Sequence, residues 1–355
     1  MLNRLHTFGS IDFSSISKPY LIAEIGVNHE GSFEKALKLI DLAKEGGANA
    51  AKFQSYKAEK LASKNSPSYW DIKEESTKSQ YELFKKYDCF NRKEYEQLAD
   101  HCNDIGIDFL STPFDEDAIE FLSPIVPFFK IASADITNIP LLKKIAVKNK
   151  PIILSTGAAK LFEIDLAINT IKSINGSDPA LMHCILCYPT KEEDANLNMI
   201  RHLKRSFPNN LIGYSDHTVP KKSMTTIITS YLLGALIIEK HFTFDKTLPG
   251  NDHYHSMDID DLKNLNSTLD NIIKLIGKEE YKHPIESEKI SRLNARRSIV
   301  VNKDLKENHI IKESDLTCKR PGTGISPLFW NDILGKRIKY NLPFDHILNW
   351  NDLND

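Results

Sequence analysis

Residues 20–56 read YLIAEIGVNHEGSFEKALKLIDLAKEGGANAAKFQSY, and their pattern decides the fold. An apolar, β-type run from Tyr20 to Gly26 is followed by apolar residues at i, i+3, i+4 and i+7, which stop at Gly46 and Gly47. A second apolar run then spans Ala50 to Tyr56, so the stretch is strand, helix, strand. The same alternation continues, with further strands expected at Asp108 to Phe114, Phe128 to Ser133, Pro151 to Thr156, Ala180 to Leu186, Leu211 to His217 and Leu236 to Phe242. Strands alternating with helices form parallel sheets, and eight β/α units in about 250 residues predict an α/β fold closed as a (β/α)8 TIM barrel. An open doubly wound sheet is the alternative, disfavoured because no Gly-x-Gly-x-x-Gly turn follows the first strand. After the second strand a polar insertion from about Lys57 to Phe90, rich in Ser, Lys and Tyr, lies on the side where barrels build their sites and predicts a substrate-covering loop.

Past Gly277 the pattern changes, giving a barrel domain over 1–280, a polar linker or peripheral helix over 281–294 and a small domain over 295–355. The last is built of short β-type runs punctuated by Gly, Pro, Asn and Asp. About 60 residues make a marginal core, so this domain is expected to dock on the barrel or on a partner subunit. Lys and Arg total 46 against 48 Asp and Glu, a net charge of −2 with both signs interspersed, which gives no support to nucleic-acid binding. No apolar run approaches the roughly 20 residues of a membrane span, and the first residues lack a signal-peptide core, so a cytoplasmic protein is expected. Five cysteines, an odd number without small-scaffold spacing, argue against a disulfide framework. Cys184 and Cys187, three apart on a strand, face opposite ways and are expected to be structural.

In a barrel the polar residues at the C-terminal strand ends are the functional candidates. In chain order they are Glu24, Asn28, His29, Lys52, Gln54, Ser111, Thr112, Lys130, Ser133, Asp135, Ser155, Thr156, Tyr188, Ser215, Asp216, His217, Glu239, Lys240 and His241. A strand interior avoids unpaired ammonium groups, so Lys52 and Lys130 require anionic partners. With hydroxyls at neighbouring strand ends, a phosphate or carboxylate ligand satisfies them; pairing with Glu24 or Glu239 is the alternative. His217 and His241 end adjacent strands, where two imidazoles and oxygen ligands suit a catalytic divalent ion such as Mn²⁺ or Mg²⁺. Further on, in GNDHYHSMD, Asp252 is placed to bond a substrate hydroxyl, while His253 and His255 are expected to shape the loop. Arg320 opens a Gly/Pro loop from which a bidentate donor could meet a carboxylate.

The segments IAEIGVNHEG, AAKFQSY, LSTPFDEDA, FKIASADI, IILSTGA, GYSDHT and IIEKHFTFDKTLPGNDHYHSM, followed by CKRPGTGIS, resemble the bacterial sialic acid synthase family over nearly the whole chain. The resemblance implies condensation of phosphoenolpyruvate with an N-acetylated amino sugar, N-acetylmannosamine favoured, to a nonulosonic acid. It also implies a C-terminal antifreeze-like (SAF, β-clip) domain, a domain-swapped homodimer and a role in cell-surface polysaccharide synthesis. By the same resemblance His217 and His241 hold the ion, Mn²⁺ favoured with Mg²⁺ or Co²⁺ as alternatives. The resemblance further implies that Lys52, Thr112, Lys130, Ser133, Ser155 and Ser215 would bind phosphoenolpyruvate, that Glu24, Gln54, Tyr188 and Asp252 would meet the sugar, that Glu24 or Asp135 would move the proton, and that Arg320 would enter a partner's site.

The chain departs from that pattern in two places. Leu186 stands where sialic acid synthases have a polar Asn near the phosphate, and Asp135 where they generally have Glu; relatives that make legionaminic or pseudaminic acid from 2,4-diacetamido-trideoxyhexoses differ at such positions. A metal-dependent sugar-phosphate isomerase or aldolase is the remaining enzymatic alternative. A carbohydrate- or ice-binding module is disfavoured, since it needs no polar rim on all eight strands.

Overall fold

The computed structural model describes residues 7–9, 11–13, 18–70, 72, 75–250 and 252–354. Two compact units divide the chain, Met1–Gly277 and Lys278–Asp355.

The first unit begins with a short antiparallel hairpin of β1 (Thr7–Phe8) and β2 (Ile11–Asp12). Eight parallel strands follow: β3 (Tyr20–Gly26), β4 (Ala50–Ser55), β5 (Asp108–Pro113), β6 (Phe129–Ile131), β7 (Ile152–Ser155), β8 (Ala180–His183), β9 (Ile212–Asp216) and β10 (Ile237–His241). Their order is β5-β4-β3-β10-β9-β8-β7-β6, and β5 packs beside β6 to close the ring. The expected TIM barrel is therefore the architecture of this unit, with strand ends within a few residues of those read from the sequence.

Alternation along the strands sorts side chains into two cores. Leu21, Ala23, Ile25, Ala51, Phe53, Phe109, Leu154 and Ile238 pack with the surrounding helices. Tyr20, Ile22, Ala50, Leu110, Phe128, Ile153, Met182 and Ile237 instead form a separate cluster with Phe8 and Phe13 from the hairpin region, which fills the floor of the barrel. One or two steps of two further along the same strands come Glu24, Lys52, Gln54, Thr112, Lys130, Ser155, Cys184, Ser215, His217, Glu239 and His241. The period of two thus carries one inner face from an apolar floor to a polar ceiling. Gly213 belongs to the tight floor, because a Cβ there would lie 2.6 Å from the carbonyl oxygen of Ile237.

The helices follow local signals. The first, Phe33–Gly46, starts at Ser32, whose side chain accepts from the Lys35 amide, ends at left-handed Gly47, and buries Leu39, Ile40 and Ala43 against the strands. The insertion after β4 contains helices Ala58–Leu61 and Gln80–Tyr87, buries Trp70, and includes Asp71, which lies outside the described residues.

The second unit holds helix Lys289–Ala295 and an antiparallel pair, β11 (Ser298–Val301) with β12 (Leu316–Lys319). Residues 302–316, NKDLKENHIIKESDL, and 339–353, KYNLPFDHILNWNDL, repeat one another with a pseudo-twofold relation. Leu305 and Leu342 exchange backbone hydrogen bonds at 2.8 Å, and Asn308 and Asp345 occupy the same left-handed conformation. Each copy pins its last turn with a buried aspartate. Asp315 accepts from His309 at 2.7 Å and the Lys312 amide at 2.8 Å; Asp352 accepts from His346 at 2.9 Å and the Asn349 amide at 2.7 Å.

Burial opposes ionisation of Asp315, but hydrogen bonds from Lys303 and His309 prevail and hold it at about 2. Because that lies below its ordinary 3.8, Asp315 stabilises the unit above pH 4, and the contribution disappears as pH falls towards 2. The gap in Tm between the wild type and Asp315→Asn is therefore expected to be largest at neutral pH and to close in acid.

Candidate active site

The polar ceiling has two halves. In the first, Lys52 Nζ lies 2.6 Å from Glu24 Oε2, 3.7 Å from Glu239 Oε2 and 3.2 Å from Thr112 Oγ1. Lys130 Nζ lies 3.5 Å from Glu239 Oε1, to which Ser215 Oγ donates at 3.2 Å, while Gln54 donates to Glu24 at 2.9 Å. Strand register produces these meetings: Glu24 on β3 is level with Lys52 on β4, Gln54 with Thr112 on β5, and Glu239 on β10 with Ser215 on β9. Both lysines thus have the carboxylate partners allowed for as the alternative to a ligand.

Charges here are buried and unequal. Burial raises the Glu24 carboxyl, aided by the Glu239 charge and opposed by Lys52. Glu239 faces both lysines and is held below its ordinary value despite burial. Burial lowers Lys130. Glu24 is therefore the carboxyl with the raised proton affinity, beside a carboxylate that stays ionised.

The second half is a cluster of imidazoles around Tyr188, whose ring lies 4.2 Å from His217 and 6.0 Å from both His241 and His255. His217 Nδ1 is 2.7 Å from the carbonyl oxygen of Ile185, which only accepts, so this nitrogen carries the proton and Nε2 carries a lone pair. His241 Nδ1 is buried without a hydrogen-bond partner, 3.5 Å from Asp252 Oδ2. Burial brings His217 down to about 4 and His241 well below the usual range, and it pushes Asp252 up to about 7 with help from Glu24. Neutral, buried imidazoles, one with its tautomer set and one with an orphaned nitrogen, form a donor set that fits a divalent ion.

Behind these histidines the preceding residues form a buried pair. Lys240 Nζ is 2.8 Å from Asp216 Oδ2 and 2.6 Å from the Thr218 carbonyl oxygen, while Tyr214 and the Thr218 amide donate to Asp216 Oδ1 at 2.9 and 3.0 Å. The pair ties β9 to β10 at the point from which His217 and His241 emerge. Asp216→Asn leaves the ammonium buried without its counter-charge and is expected to cost about 3–5 kcal/mol, lowering Tm by about 10 °C in thermal denaturation. Replacing both, with Lys240→Met added, should recover much of that loss.

The remaining candidates divide between the two units. Ser133 sits on a short turn after β6, in hydrogen-bond contact with the Cys184 thiol, and Ser155 Oγ is buried with no hydrogen-bond partner. A Cβ on Gly157 would fall 2.8 Å from Cys184 Sγ and 3.0 Å from Ser133 Oγ, so only glycine lets the loop after β7 pass so close. Asp135 is half-buried and accepts from Asn138 at 3.1 Å, apart from the Glu24 network. Arg320 is exposed at the end of β12 in the second unit.

Glu239, which the sequence offered as a partner for the lysines, joins both of them. Three further residues gain a place here that their sequence positions did not assign. Cys184, expected to be structural, lies on the inner face beside Lys130 and Ser133, whereas Cys187 is exposed. Tyr69, from the insertion, comes within electrostatic reach of Asp252 and Tyr188. His255 packs 5.0 Å from His241, so the expectation that both loop histidines serve only the loop describes His253 alone, which bonds Thr243 Oγ1 at 2.8 Å.

Residues 39–281 match the NeuB family and residues 296–354 match the SAF domain. An uncharacterized protein of Methanocaldococcus jannaschii is 40% identical over 94% of this chain and 94% of its own. The N,N'-diacetyllegionaminic acid synthase of Legionella pneumophila is 39% identical over 93% of each. Among solved structures, the N-acetylneuraminic acid synthetase of Leptospira borgpetersenii, crystallised with citrate, is 36% identical with a TM-score of 0.70, over 80% of this chain and 94% of that one.

Proposed function

Because this chain belongs to the NeuB family, and is thus a phosphoenolpyruvate-dependent acid synthase, we propose that it condenses phosphoenolpyruvate with an open-chain 2,4-diacetamido-trideoxyhexose to a legionaminic-type nonulosonic acid. Phosphate leaves by C–O cleavage. The observation that carries this reading is the ceiling of one barrel on which two buried lysines and a set of hydroxyls stand beside neutral imidazoles. Such a surface suits an anionic substrate next to a carbonyl that needs polarising.

In this account Lys52 and Lys130 exchange part of their contact with Glu239 for the carboxylate and phosphate of phosphoenolpyruvate, with Thr112, Ser133, Ser155 and Ser215 as short donors. Gln54, Tyr188 and Asp252 position the sugar. C3 of phosphoenolpyruvate attacks the aldehyde carbon, water adds at C2, and the tetrahedral intermediate expels phosphate before the product cyclises. Glu24, with its raised proton affinity, is preferred over half-buried Asp135 for moving the proton. A divalent ion held by His217 and His241, Mn²⁺ favoured, would supply Lewis-acid polarisation of the aldehyde oxygen.

The acceptor is argued from the Legionella relative, 39% identical over 93% of each chain, which carries the corresponding name. N-acetylmannosamine is the second reading, supported by the Leptospira synthetase. Offered both sugars in equal amounts, the protein is expected to yield mainly the product of diacetamido mass; predominance of N-acetylneuraminate by mass spectrometry would overturn this choice.

Arg320 is proposed to contribute to the sugar site within a domain-swapped homodimer, and the product to serve surface glycans. Arg320→Ala in the full chain is expected to lower kcat/KM at least about tenfold with Tm unchanged; full activity would remove the role. Among the described residues no helix is long and apolar enough to cross a membrane.

A further inference from the structure

We propose that His255 and Asp252 join His241 as direct ligands of the divalent ion, so that the site is a nitrogen-rich cluster and not a histidine pair alone. The proposal rests on the reading of His217 and His241 as metal residues. One donor atom from each of His241, Asp252 and His255 lies within 4.8 Å of the others, and all three residues are buried. The Asp252 carboxylate sits between the two rings, with Oδ2 at 3.5 Å from His241 Nδ1 and Oδ1 at 3.9 Å from His255 Nε2.

Those separations suit a shared ion. Two donors about 2.1 Å from one ion, at a near-tetrahedral angle, stand about 3.4 Å apart. Both contacts with Asp252 exceed the length of a hydrogen bond, and His241 Nδ1 faces the carboxylate without a hydrogen-bond partner at 6% exposure. The histidine two residues earlier is occupied differently: His253 bonds Thr243 Oγ1 and lies 3.8 Å from Glu30. His217 stands outside that group of three, across Tyr188, with its ring centroid 5.8 Å from that of His241.

The chemistry of the donor set has a consequence. Imidazole nitrogens favour Co²⁺, Fe²⁺ or Zn²⁺ over Mg²⁺, whereas a histidine pair with water and substrate oxygens discriminates less. This chain should therefore retain borderline metals through chelation that strips Mg²⁺.

The test is a Co²⁺ titration of the full chain after metal removal, followed by visible absorption and calorimetry, on the wild type, His255→Gln, His255→Cys, His253→Gln and His217→Ala. His255→Gln is expected to weaken Co²⁺ binding at least about tenfold and to shift the visible bands, while His253→Gln leaves both unchanged. His255→Cys should introduce a thiolate-to-cobalt charge-transfer band, a signature that general destabilisation cannot produce. Wild-type affinity and bands in His255→Gln, with no charge-transfer band in His255→Cys and binding lost in His217→Ala, would overturn the proposal and keep the pair. A wild-type protein that binds no Co²⁺ would overturn both.

Discussion

His217→Ala and His241→Ala are each expected to lower kcat by at least about a thousandfold while leaving Tm within a few degrees of the wild type. The size follows from the several kcal/mol that a Lewis acid contributes to stabilising charge on a developing alkoxide. The selectivity follows from where these side chains stand. They line the polar ceiling, next to Tyr188 and Asp252, and neither belongs to the apolar floor nor to the core under the helices. Their neutral forms are already the resting forms, since burial lowers both below neutral pH, so removing them strands no charge. Bound metal measured on the purified variants should fall in parallel with kcat. Full turnover in either variant, or loss of turnover with metal content unchanged, would remove the ligand assignment.

Lys52→Met should have a different and larger effect, on stability as well as activity. Lys52 is the cation between Glu24 and Glu239, all three nearly excluded from solvent. Its removal leaves Glu24 without its ammonium partner and Glu239 with Lys130 alone, and breaking a buried pair on one side costs about 3–5 kcal/mol. The penalty falls on ionised carboxylates. Glu24 is already raised by burial, and without Lys52 it rises further, so protonation relieves the cost as pH falls. The Tm deficit of Lys52→Met should therefore shrink between pH 8 and pH 5, and Glu24→Gln in the same background should recover part of it at pH 8. Activity is expected to vanish at every pH, because neither change restores a cation for the substrate. A deficit independent of pH would mean that the lysine acts through packing and not through charge.

The barrel was legible because its signals are local. A helix that begins at Ser32 and stops at left-handed Gly47, between two apolar runs, is specified within about 40 residues. The polar strand ends were legible too, since Lys52, Lys130 and Glu239 interrupt sequences that otherwise have no reason to carry charge. Which of them touch was a matter of register between strands far apart in the chain. Glu24 meets Lys52 because β3 and β4 align them, and Glu239 reaches both lysines only across the closed ring.

Spacing misled where a loop was concerned. Two histidines separated by one residue carry no face information outside a strand or helix, yet His253 turns to Thr243 while His255 turns to His241. The Cys-x-x-Cys spacing hides what parity with Met182 shows, that Cys184 stands on the inner face. Tyr69 reaches the site from an insertion with no regular pattern to read. In the second unit the two copies ending in Asp315 and Asp352 are visible in the sequence once aligned, but the exchange between Leu305 and Leu342 that makes them symmetric is tertiary.

Phosphate release from phosphoenolpyruvate labelled with ¹⁸O at the bridging position tests the central claim most directly. With the purified chain, Mn²⁺ and a 2,4-diacetamido-trideoxyhexose, phosphate should appear only when the sugar and the metal are both present, and it should carry the label, because C–O cleavage sends the bridging oxygen with phosphorus. Phosphate released without any acceptor, unlabelled phosphate, or no release with either sugar would contradict the condensing reaction assigned to this barrel.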